Sequence, residues 1–257
     1  MNSTREKVKK LRPIDDVFFQ KIIEDKKVCE EILRTILQDE NLEVLTVTPQ
    51  SNVKNLYGRS VILDAFCKLG NGEYCNIEVQ KTDNDNHPKR VRYNASCITA
   101  NNTRVKAKFI EVPDVTMVYI STFDIFEMGK TIYHCETTIR GTDKPVENGL
   151  KEIYVNTAIN DGSTIAELMA CFMQEQVNNQ KFPLFSERVW YFKNDEGGVE
   201  TMCKIVDDYV NEVSVENLRN LFNNGGSLEL AIATFKNVSE EMIHKIYSEF
   251  TKTKKTV

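Results

Sequence analysis

The sequence predicts an α/β protein in which helices flank a mixed central sheet. Apolar residues recur at helical spacing over residues 16–38, and two strand-like runs, 59–69 and 73–81, are joined by a short loop with two glycines. A basic, helix-compatible stretch at 89–102 then precedes an apolar, β-branched run at 114–122. Because a helical crossover makes the strands on either side of it parallel, the sheet should combine an antiparallel hairpin with a parallel strand.

The first helical segment, residues 16–38, has its apolar side chains mostly three and four positions apart. It predicts one helix, or two short helices broken near Asp25. Asp15 or Asp16 can cap the first turn, since a carboxylate there accepts hydrogen bonds from the free amides of a helix N-terminus.

Further runs predict additional strands. Residues 42–50 are rich in β-branched side chains, and Pro49 suits a strand that ends there. Residues 114–122 are apolar almost throughout and predict a buried strand. Residues 131–139 and 150–157 predict strands at an edge of the sheet.

The two runs around the glycine-containing loop predict a β-hairpin, because short connections of this kind are typical of one. If Leu69 pairs with Glu73, then Asp64 lies directly across from Glu78. Side chains alternate along a strand with a period of two, so Gln80 shares the face of both acids. The hairpin therefore brings two carboxylates and an amide to one place.

Two carboxylates opposed in this way repel each other, and apolar residues on the other face of both strands make their charge more costly. A divalent cation bound by Asp64 and Glu78 resolves the repulsion, and the chain up to Gln80 offers further oxygen ligands. Since histidines are few and the cysteines are scattered, Mg²⁺ or Mn²⁺ is expected. The alternative is a solvent-exposed face without metal, which a register shifted by one residue would produce.

The composition excludes several classes of protein. With 41% hydrophobic and 28% charged residues, the 257-residue chain has the balance of a globular protein with a sizeable core. No apolar run approaches the ~20 residues of a membrane span, so no membrane partner is expected. Seven singly scattered cysteines and a charged N-terminus without an apolar leader predict a cytoplasmic protein.

A basic segment interrupts an otherwise acidic chain. Residues 81–110 contain seven lysines and arginines against two aspartates, whereas the whole chain has a net charge of −5. Such a segment suits contact with a polyanion such as DNA, and the alternative is a solvated, charged helix. His87 has no evident partner in the sequence and is expected to be a loop residue rather than a general base.

The pattern becomes helical beyond residue 160. Helices are predicted at 163–177, 199–212, 214–223, 227–235 and 239–250. We therefore predict a core domain at 1–160 and a helical C-terminal region at 161–257. The last two helices are compatible with a DNA-binding helix-turn-helix, but the few basic residues there favour a plain helical hairpin.

These motifs resemble those of PD-(D/E)XK nucleases, in which a helix precedes an Asp in the second strand and Glu-x-Lys or Glu-x-Gln in the third. Here the two strands read ILDAF (62–66) and NIEVQK (76–81). The likeness is greatest to the PD-(D/E)XK nuclease family transposases and their recombination-promoting relatives, through LRPIDDVFFQKII (11–23), KRVRYNASCI (89–98) and VYISTFDIF (118–126). The resemblance implies a restriction-endonuclease-like fold with a helical C-terminal extension.

Carried over by position, the resemblance implies four catalytic residues. Asp64 and Glu78 would be the metal ligands, and Asp16 would be the acid through which the first helix reaches the site. Gln80 would occupy the position of the superfamily's lysine, where glutamine is usual in this branch.

Two positions depart from the wider pattern. Gln80 cannot supply the positive charge of a lysine, and Gln20 stands where the family has a lysine after Phe19. The site would then depend more strongly on the metal and on Lys81 or Arg90.

Residues and resemblance together predict a Mg²⁺- or Mn²⁺-dependent endodeoxyribonuclease acting in recombination or transposition. DNA would be held mainly through its backbone, by Lys81, Lys89, Arg90, Arg92 and Tyr93. The alternative is a nuclease fold with weak or no catalysis that acts as a DNA-binding or protein-interaction module. A homodimer is left open, because cutting both strands of a duplex can require two chains.

Overall fold

The computed structural model describes residues 2–55 and 58–253. The helices are α1 (Asn2–Lys10), α2 (Asp16–Ile23), α3 (Lys26–Leu37), α4 (His87–Asn102), α5 (Thr164–Phe172), α6 (Pro183–Asn194), α7 (Glu196–Asn223), α8 (Leu228–Thr234) and α9 (Glu240–Thr253). The strands are β1 (Val44–Val53), β2 (Val61–Leu69), β3 (Tyr74–Gln80), β4 (Val115–Ser121), β5 (Ile132–Cys135), β6 (Thr138–Ile139), β7 (Lys144–Pro145) and β8 (Leu150–Asn156). Among these described residues, no helix is both long enough and apolar enough to cross a bilayer.

A six-stranded mixed sheet with the strand order β1-β2-β3-β4-β8-β5 carries the fold. β1, β2 and β3 are antiparallel neighbours, whereas β3, β4 and β8 run parallel and β5 pairs antiparallel with β8. β6 and β7 form a separate small ladder. The predicted combination of an antiparallel hairpin with a parallel strand after a helical crossover is confirmed.

Helices cover both faces of the sheet. On one face, the Cys29 sulfur of α3 lies 3.5 Å from the Cys67 sulfur of β2. On the other face, Nδ1 of His87 in α4 lies 2.9 Å from the Tyr119 hydroxyl of β4. The strand register places Cys67 and Tyr119 on opposite faces, so α3 and α4 sandwich the sheet between them.

The N-terminal helical segment breaks where the sequence predicts. Asp25 lies between α2 and α3 with an extended backbone, and its side chain accepts a hydrogen bond from the Lys27 amide at 2.9 Å. This contact satisfies one of the free amides at the start of α3, so Asp25 begins the second helix.

The prediction that the first strand ends at Pro49 is wrong. β1 continues to Val53 and pairs with β2 along this length. β1 is an edge strand, where a proline can direct its missing N–H toward the open side without losing a ladder hydrogen bond.

Helices α6 and α7 differ from the sequence prediction. α6 is not predicted, because its first amides are capped by a distant residue instead of a local one: Glu31 accepts hydrogen bonds from the Leu184 and Phe185 amides at 3.2 and 2.8 Å. α7 is a single helix, whereas the sequence predicts two, at 199–212 and 214–223.

The chain forms two compact units. Lys9–Asp195 make up the unit built on the sheet, and the segments on either side of it make up the second. In the second unit, α7, α8 and α9 enclose a small apolar core of Leu218, Phe222, Ala231, Ile243 and Ile246. The predicted functional division at residue 160 stays a prediction.

Candidate active site

The β2–β3 hairpin has the predicted register. The Leu69 amide donates to the Glu73 carbonyl at 2.9 Å, and the pairing continues to Ala65 opposite Ile77. In the part of the chain that the structure describes, the ladder ends there, although Asp64 would be the next residue to pair. The two strands therefore diverge at the position of the predicted acids.

Carboxylates replace the ladder where the strands diverge. The Val79 amide donates to Oδ2 of Asp64 at 3.0 Å, and the Asp64 amide donates to Oε1 of Glu78 at 3.3 Å. Each side chain thus binds backbone of the opposite strand, and the two acids face each other as predicted. The shifted register, with the acids on different faces, is not what the structure has.

Glu78 is buried and only partly satisfied. Its side chain is 1% exposed, and Oε1 also accepts a hydrogen bond from Nδ2 of Asn76 at 2.7 Å. Oε2 accepts no hydrogen bond from any described residue. Burial, followed by the charge of Asp64, raises the pKa of Glu78 to about 8.

Asp64 has a smaller shift of the same kind. Burial raises its pKa to about 6, and the nearby charge of Asp16 adds to the increase. The Val79 amide and the Arg90 guanidinium act in the opposite direction. Two acids that both resist ionisation lie side by side, which is the environment that an added cation would relieve.

Arg90 brings a positive charge to this pair. Nη1 donates to Oε1 of Gln80 at 3.0 Å, and Nη2 lies 3.6 Å from the free Oε2 of Glu78. The Gln80 amide nitrogen donates in turn to the Thr82 carbonyl at 2.7 Å, which fixes the orientation of the amide. Gln80, which has no charge of its own, therefore holds a guanidinium at the site.

The comparison with known families agrees with this geometry. The family model of the PD-(D/E)XK nuclease family transposases matches residues 13–159, which is more than half of the chain. The chain belongs to this family. The matched segment runs from just before α2 to just after β8, so it contains the whole hairpin and α4. No curated protein and no solved structure matches the chain.

Family membership agrees with the predicted restriction-endonuclease-like fold, a mixed sheet flanked by helices with further helices at the C-terminus. That prediction is confirmed. The matched range contains Asp64, Glu78 and Gln80, the residues that the resemblance assigns to the nuclease motif.

Asp16 and Lys81, two further residues that the sequence predicts for the site, differ in what they contact. Asp16 is the first residue of α2, and its charge reaches Asp64, whereas the N-cap position belongs to Asp15, whose side chain makes no capping hydrogen bond. Lys81 forms an ion pair with Asp15. Asp15 therefore occupies the predicted N-cap position without a capping hydrogen bond from its side chain, and Asp16 is not the cap.

Few side chains are available to bind a divalent ion at the site. No cluster of three or more His, Cys, Asp or Glu side chains suited to a metal occurs among the described residues. The site instead offers the carboxylates of Asp64 and Glu78, and Oε2 of Glu78 accepts no hydrogen bond from any described residue. Mg²⁺ is commonly held by one or two carboxylates together with water and substrate phosphates, so the residues present fit such an ion.

A basic groove opens beside the site. It has a volume of about 630 Å³ and is lined by α4 and by the chain that leads into β2. Four of the residues predicted to bind DNA line this groove, and all four belong to α4: Lys89, Arg90, Arg92 and Tyr93. Lys81, the fifth, does not line it. The Tyr93 hydroxyl donates to the Arg59 carbonyl at 2.6 Å, which ties the two walls together.

His87 corrects the sequence interpretation. It is the first residue of α4 and is 3% exposed, not a loop residue without partners. Its ring nitrogens lie 2.9 Å from the Tyr119 hydroxyl and 3.0 Å from Oδ1 of Asp83. These contacts fix the start of α4, three residues before Arg90. The i,i+4 spacing of Asp83 and His87 is the sequence signal that could have indicated a partner.

Proposed function

We propose that this protein is a divalent-metal-dependent endodeoxyribonuclease that hydrolyses phosphodiester bonds in recombination or transposition. The observation that carries the proposal is the Glu78 carboxylate, which is 1% exposed, faces Asp64 and has one oxygen without a hydrogen bond. A buried carboxylate in this state is costly unless a cation compensates it. Membership of a nuclease family of transposases supports the same chemistry.

Asp64 and Glu78 would hold the ion, and their oxygen donors favour Mg²⁺ or Mn²⁺. Such an ion, when bound, orients and acidifies a water and stabilises negative charge on the phosphate. The amides of Val79 and Asp64 keep both carboxylates in place before any ion arrives. Asp16 would add negative charge on the side of α2.

Arg90 would supply the positive charge that a lysine supplies in much of the superfamily. Its hydrogen bond to Gln80 directs the guanidinium into the site, within 3.6 Å of Glu78. A preoriented guanidinium stabilises charge that develops on a phosphate without having to reorganise. The glutamine of this branch would thus act by orienting an arginine.

The groove beside the site would hold the DNA backbone. Lys89, Arg92 and Tyr93 line it, and Lys81, which is paired with Asp15, would contribute least among the predicted contacts. Contacts to phosphates carry little sequence information, so cleavage should show low sequence preference. Log affinity should fall as log salt rises, and each phosphate neutralised should steepen this fall by about 0.9.

The predicted cytoplasmic location and the homodimer belong to the same proposal. The seven cysteines are free thiols, as suits a reducing compartment. If single chains act alone, supercoiled plasmid should first become nicked, and if two chains pair, linear product should appear directly and more steeply with protein concentration.

A second candidate is a nuclease fold that binds DNA without cutting it. Arg90 favours this alternative, because its guanidinium already lies near the free oxygen of Glu78 and could serve as a permanent counter-charge. In that case a metal would be unnecessary. The two candidate functions differ in whether added metal leads to DNA cleavage.

The deciding experiment is plasmid cleavage with metal omitted and then with Mg²⁺, Mn²⁺ or Ca²⁺ added. Cleavage should require Mg²⁺ or Mn²⁺ and should fall ~100-fold or more in Asp64→Asn and in Glu78→Gln, while DNA binding persists. Asp143→Asn, in an exposed turn between β6 and β7, is the matched control and should cleave normally. Unchanged cleavage in Asp64→Asn would contradict the assignment of the active site to Asp64 and Glu78. DNA binding without cleavage in any metal would favour the second candidate.

A further inference from the structure

Three large apolar side chains stand almost fully exposed in the segment after α4. Val105, Phe109 and Ile110 are 92%, 96% and 88% exposed, and we call them the apolar tip. A folded protein can usually bury such residues or replace them with polar ones. Apolar side chains grouped at one exposed place are typical of a surface that meets a partner.

The apolar tip is built on ordered backbone. The Ala107 amide donates to the Arg104 carbonyl at 3.0 Å, and a one-turn 3-10 helix spans Phe109–Glu111. Oε2 of Glu111 accepts a hydrogen bond from the Lys108 amide at 2.8 Å. The turn and the short helix therefore hold the apolar side chains outward, and the nearest acid is occupied by backbone.

Cations surround the apolar tip. Arg104, Lys106 and Lys108 alternate with its residues and are exposed, and none of the three has a carboxylate partner in residues 2–55 and 58–253. Between residues 86 and 110 the chain has six lysines and arginines and no acid. Charge complementarity therefore favours a polyanion as the partner.

The exposed face of α4 connects the groove with the apolar tip. Lys89, Arg92, Ser96 and Ala100 are exposed at helical spacing, so they form one continuous row along the helix. The first two are cationic and the last two are small, which would let a nucleic-acid backbone approach the helix closely. The row ends at Ala100, five residues before the apolar tip begins at Val105.

We propose that the apolar tip inserts into a DNA groove and unstacks one base step, while Arg104, Lys106 and Lys108 bind the phosphates on either side. Apolar wedges flanked by arginine and lysine are how many proteins kink a duplex. A protein partner fits less well, because protein interfaces are depleted in lysine. This inference rests on the proposed DNA substrate and adds the path of the duplex along α4.

The length of α4 predicts where the unstacked step lies. From Arg90 to Asn102, where α4 ends, the helix rises ~18 Å over 12 residues at ~1.5 Å per residue. That distance corresponds to ~5 base pairs at ~3.4 Å each. Since the apolar tip follows Asn102, the step should lie ~5 base pairs or more from the phosphate at the site.

The test uses the full chain in metal-free buffer, so that DNA is bound and not cut. A set of duplexes carries 2-aminopurine at successive positions, because the fluorescence of this base rises when it unstacks. Binding should raise the fluorescence severalfold at one step, and Phe109→Ser with Ile110→Ser should abolish the rise without changing the salt slope of binding. Lys106→Ala with Lys108→Ala should instead lower that slope by about 2.

Trp190→Ser is the matched control, because Trp190 is 55% exposed on α6, which packs against α3 rather than α4. It should leave the fluorescence rise intact. The proposal is overturned if no position responds, or if the Phe109→Ser, Ile110→Ser protein responds like the unchanged chain. It is equally overturned if these substitutions abolish binding to anionic lipid vesicles or self-association instead of base unstacking.

Failure of the nuclease proposal gives a different result. If the chain cuts no DNA in any metal but still unstacks one base step, the role of the apolar tip is supported and the nuclease proposal fails. If the chain cuts DNA without unstacking a base step, the nuclease proposal is supported and the role of the apolar tip is overturned.

Discussion

The two ends of the β2–β3 hairpin are built on opposite principles. At the turn end, backbone pairs run from Ala65 with Ile77 to Lys68 with Tyr74, and the rings of Phe66 and Tyr74 stack at 5.3 Å. At the open end the backbone pairing stops, and carboxylates bind the amides instead. At the turn end, the backbone hydrogen bonds and the ring contact are thus supplied by the two strands themselves.

The open end carries an electrostatic cost that the turn end does not. Burial raises the pKa of Glu78 to about 8, although Asn76 and Arg90 both act to lower it. A fold can tolerate such a cost where it is later relieved by a ligand, and sites with strongly shifted pKa values are often functional for this reason. The contrast separates the part of the hairpin that stabilises the protein from the part that prepares the site.

Arg90 gives the largest expected effect at the open end. Arg90→Ala removes the only cation that the described structure places against Gln80 and Glu78, so cleavage should fall ~100-fold or more. Initial rates of plasmid cleavage measure this, and melting temperatures show whether the fold persists.

A second substitution sharpens the same test. Gln80→Lys in the Arg90→Ala background would put a cation back from β3, so it should recover part of the lost rate. In the unchanged background, Gln80→Lys brings two cations together and should not increase the rate. Equal rates for Arg90→Ala with and without Gln80→Lys would contradict the view that Arg90 replaces the lysine.

The next largest effect is the dependence of stability on pH. Because the pKa of Glu78 is raised from 4.5 to about 8, the folded protein keeps this proton in a range where the unfolded chain has lost it. The folded state binds more protons there, so metal-free stability should fall as pH rises from about 5 to about 8. Glu78→Gln should remove most of this fall and leave the smaller one that Asp64 contributes up to about pH 6. The variant should be more stable than the unchanged chain at pH 9, by on the order of a few kcal/mol.

Metal should reverse the fall. At pH 8, millimolar Mg²⁺ or Mn²⁺ should raise the melting temperature, since an ion present at ~100 times its dissociation constant stabilises by ~2.7 kcal/mol. The increase should be absent in Asp64→Asn. An equal increase in Asp64→Asn would mean that the ion binds elsewhere.

The turn end should respond in stability alone. Phe66→Ala removes a half-buried ring stacked on Tyr74 and should lower the free energy of unfolding by about 1–2 kcal/mol, less than a fully buried phenylalanine would. Urea denaturation measures the change. Cleavage at a temperature where the variant is folded should stay within a few-fold of the unchanged chain, and a large loss there would show that the two ends are coupled.

The same contrast explains what the sequence can predict. The register at the turn end depends on a short glycine-containing loop and on the period of a strand, both of which are local, so the opposition of Asp64 and Glu78 is predictable. Which basic side chain reaches the site is not predictable, because Lys81 and Arg90 are equal candidates until the direction of α4 is known. The start of α6 is not predictable for a similar reason, since its first amides bind Glu31, from a distant part of the chain.

The smallest effect is expected for Lys81→Ala, which tests whether Lys81 or Arg90 supplies the positive charge at the site. Lys81 follows β3 directly, yet its ammonium group pairs with Asp15 and the residue does not line the groove. Half-exposed ion pairs contribute little, so Lys81→Ala should cost less than ~1 kcal/mol of stability. Its cleavage rate should stay within about threefold of the unchanged chain, against the ~100-fold loss for Arg90→Ala. A comparable loss for both would mean that the cation adjacent in sequence serves the site as well as the one delivered by α4.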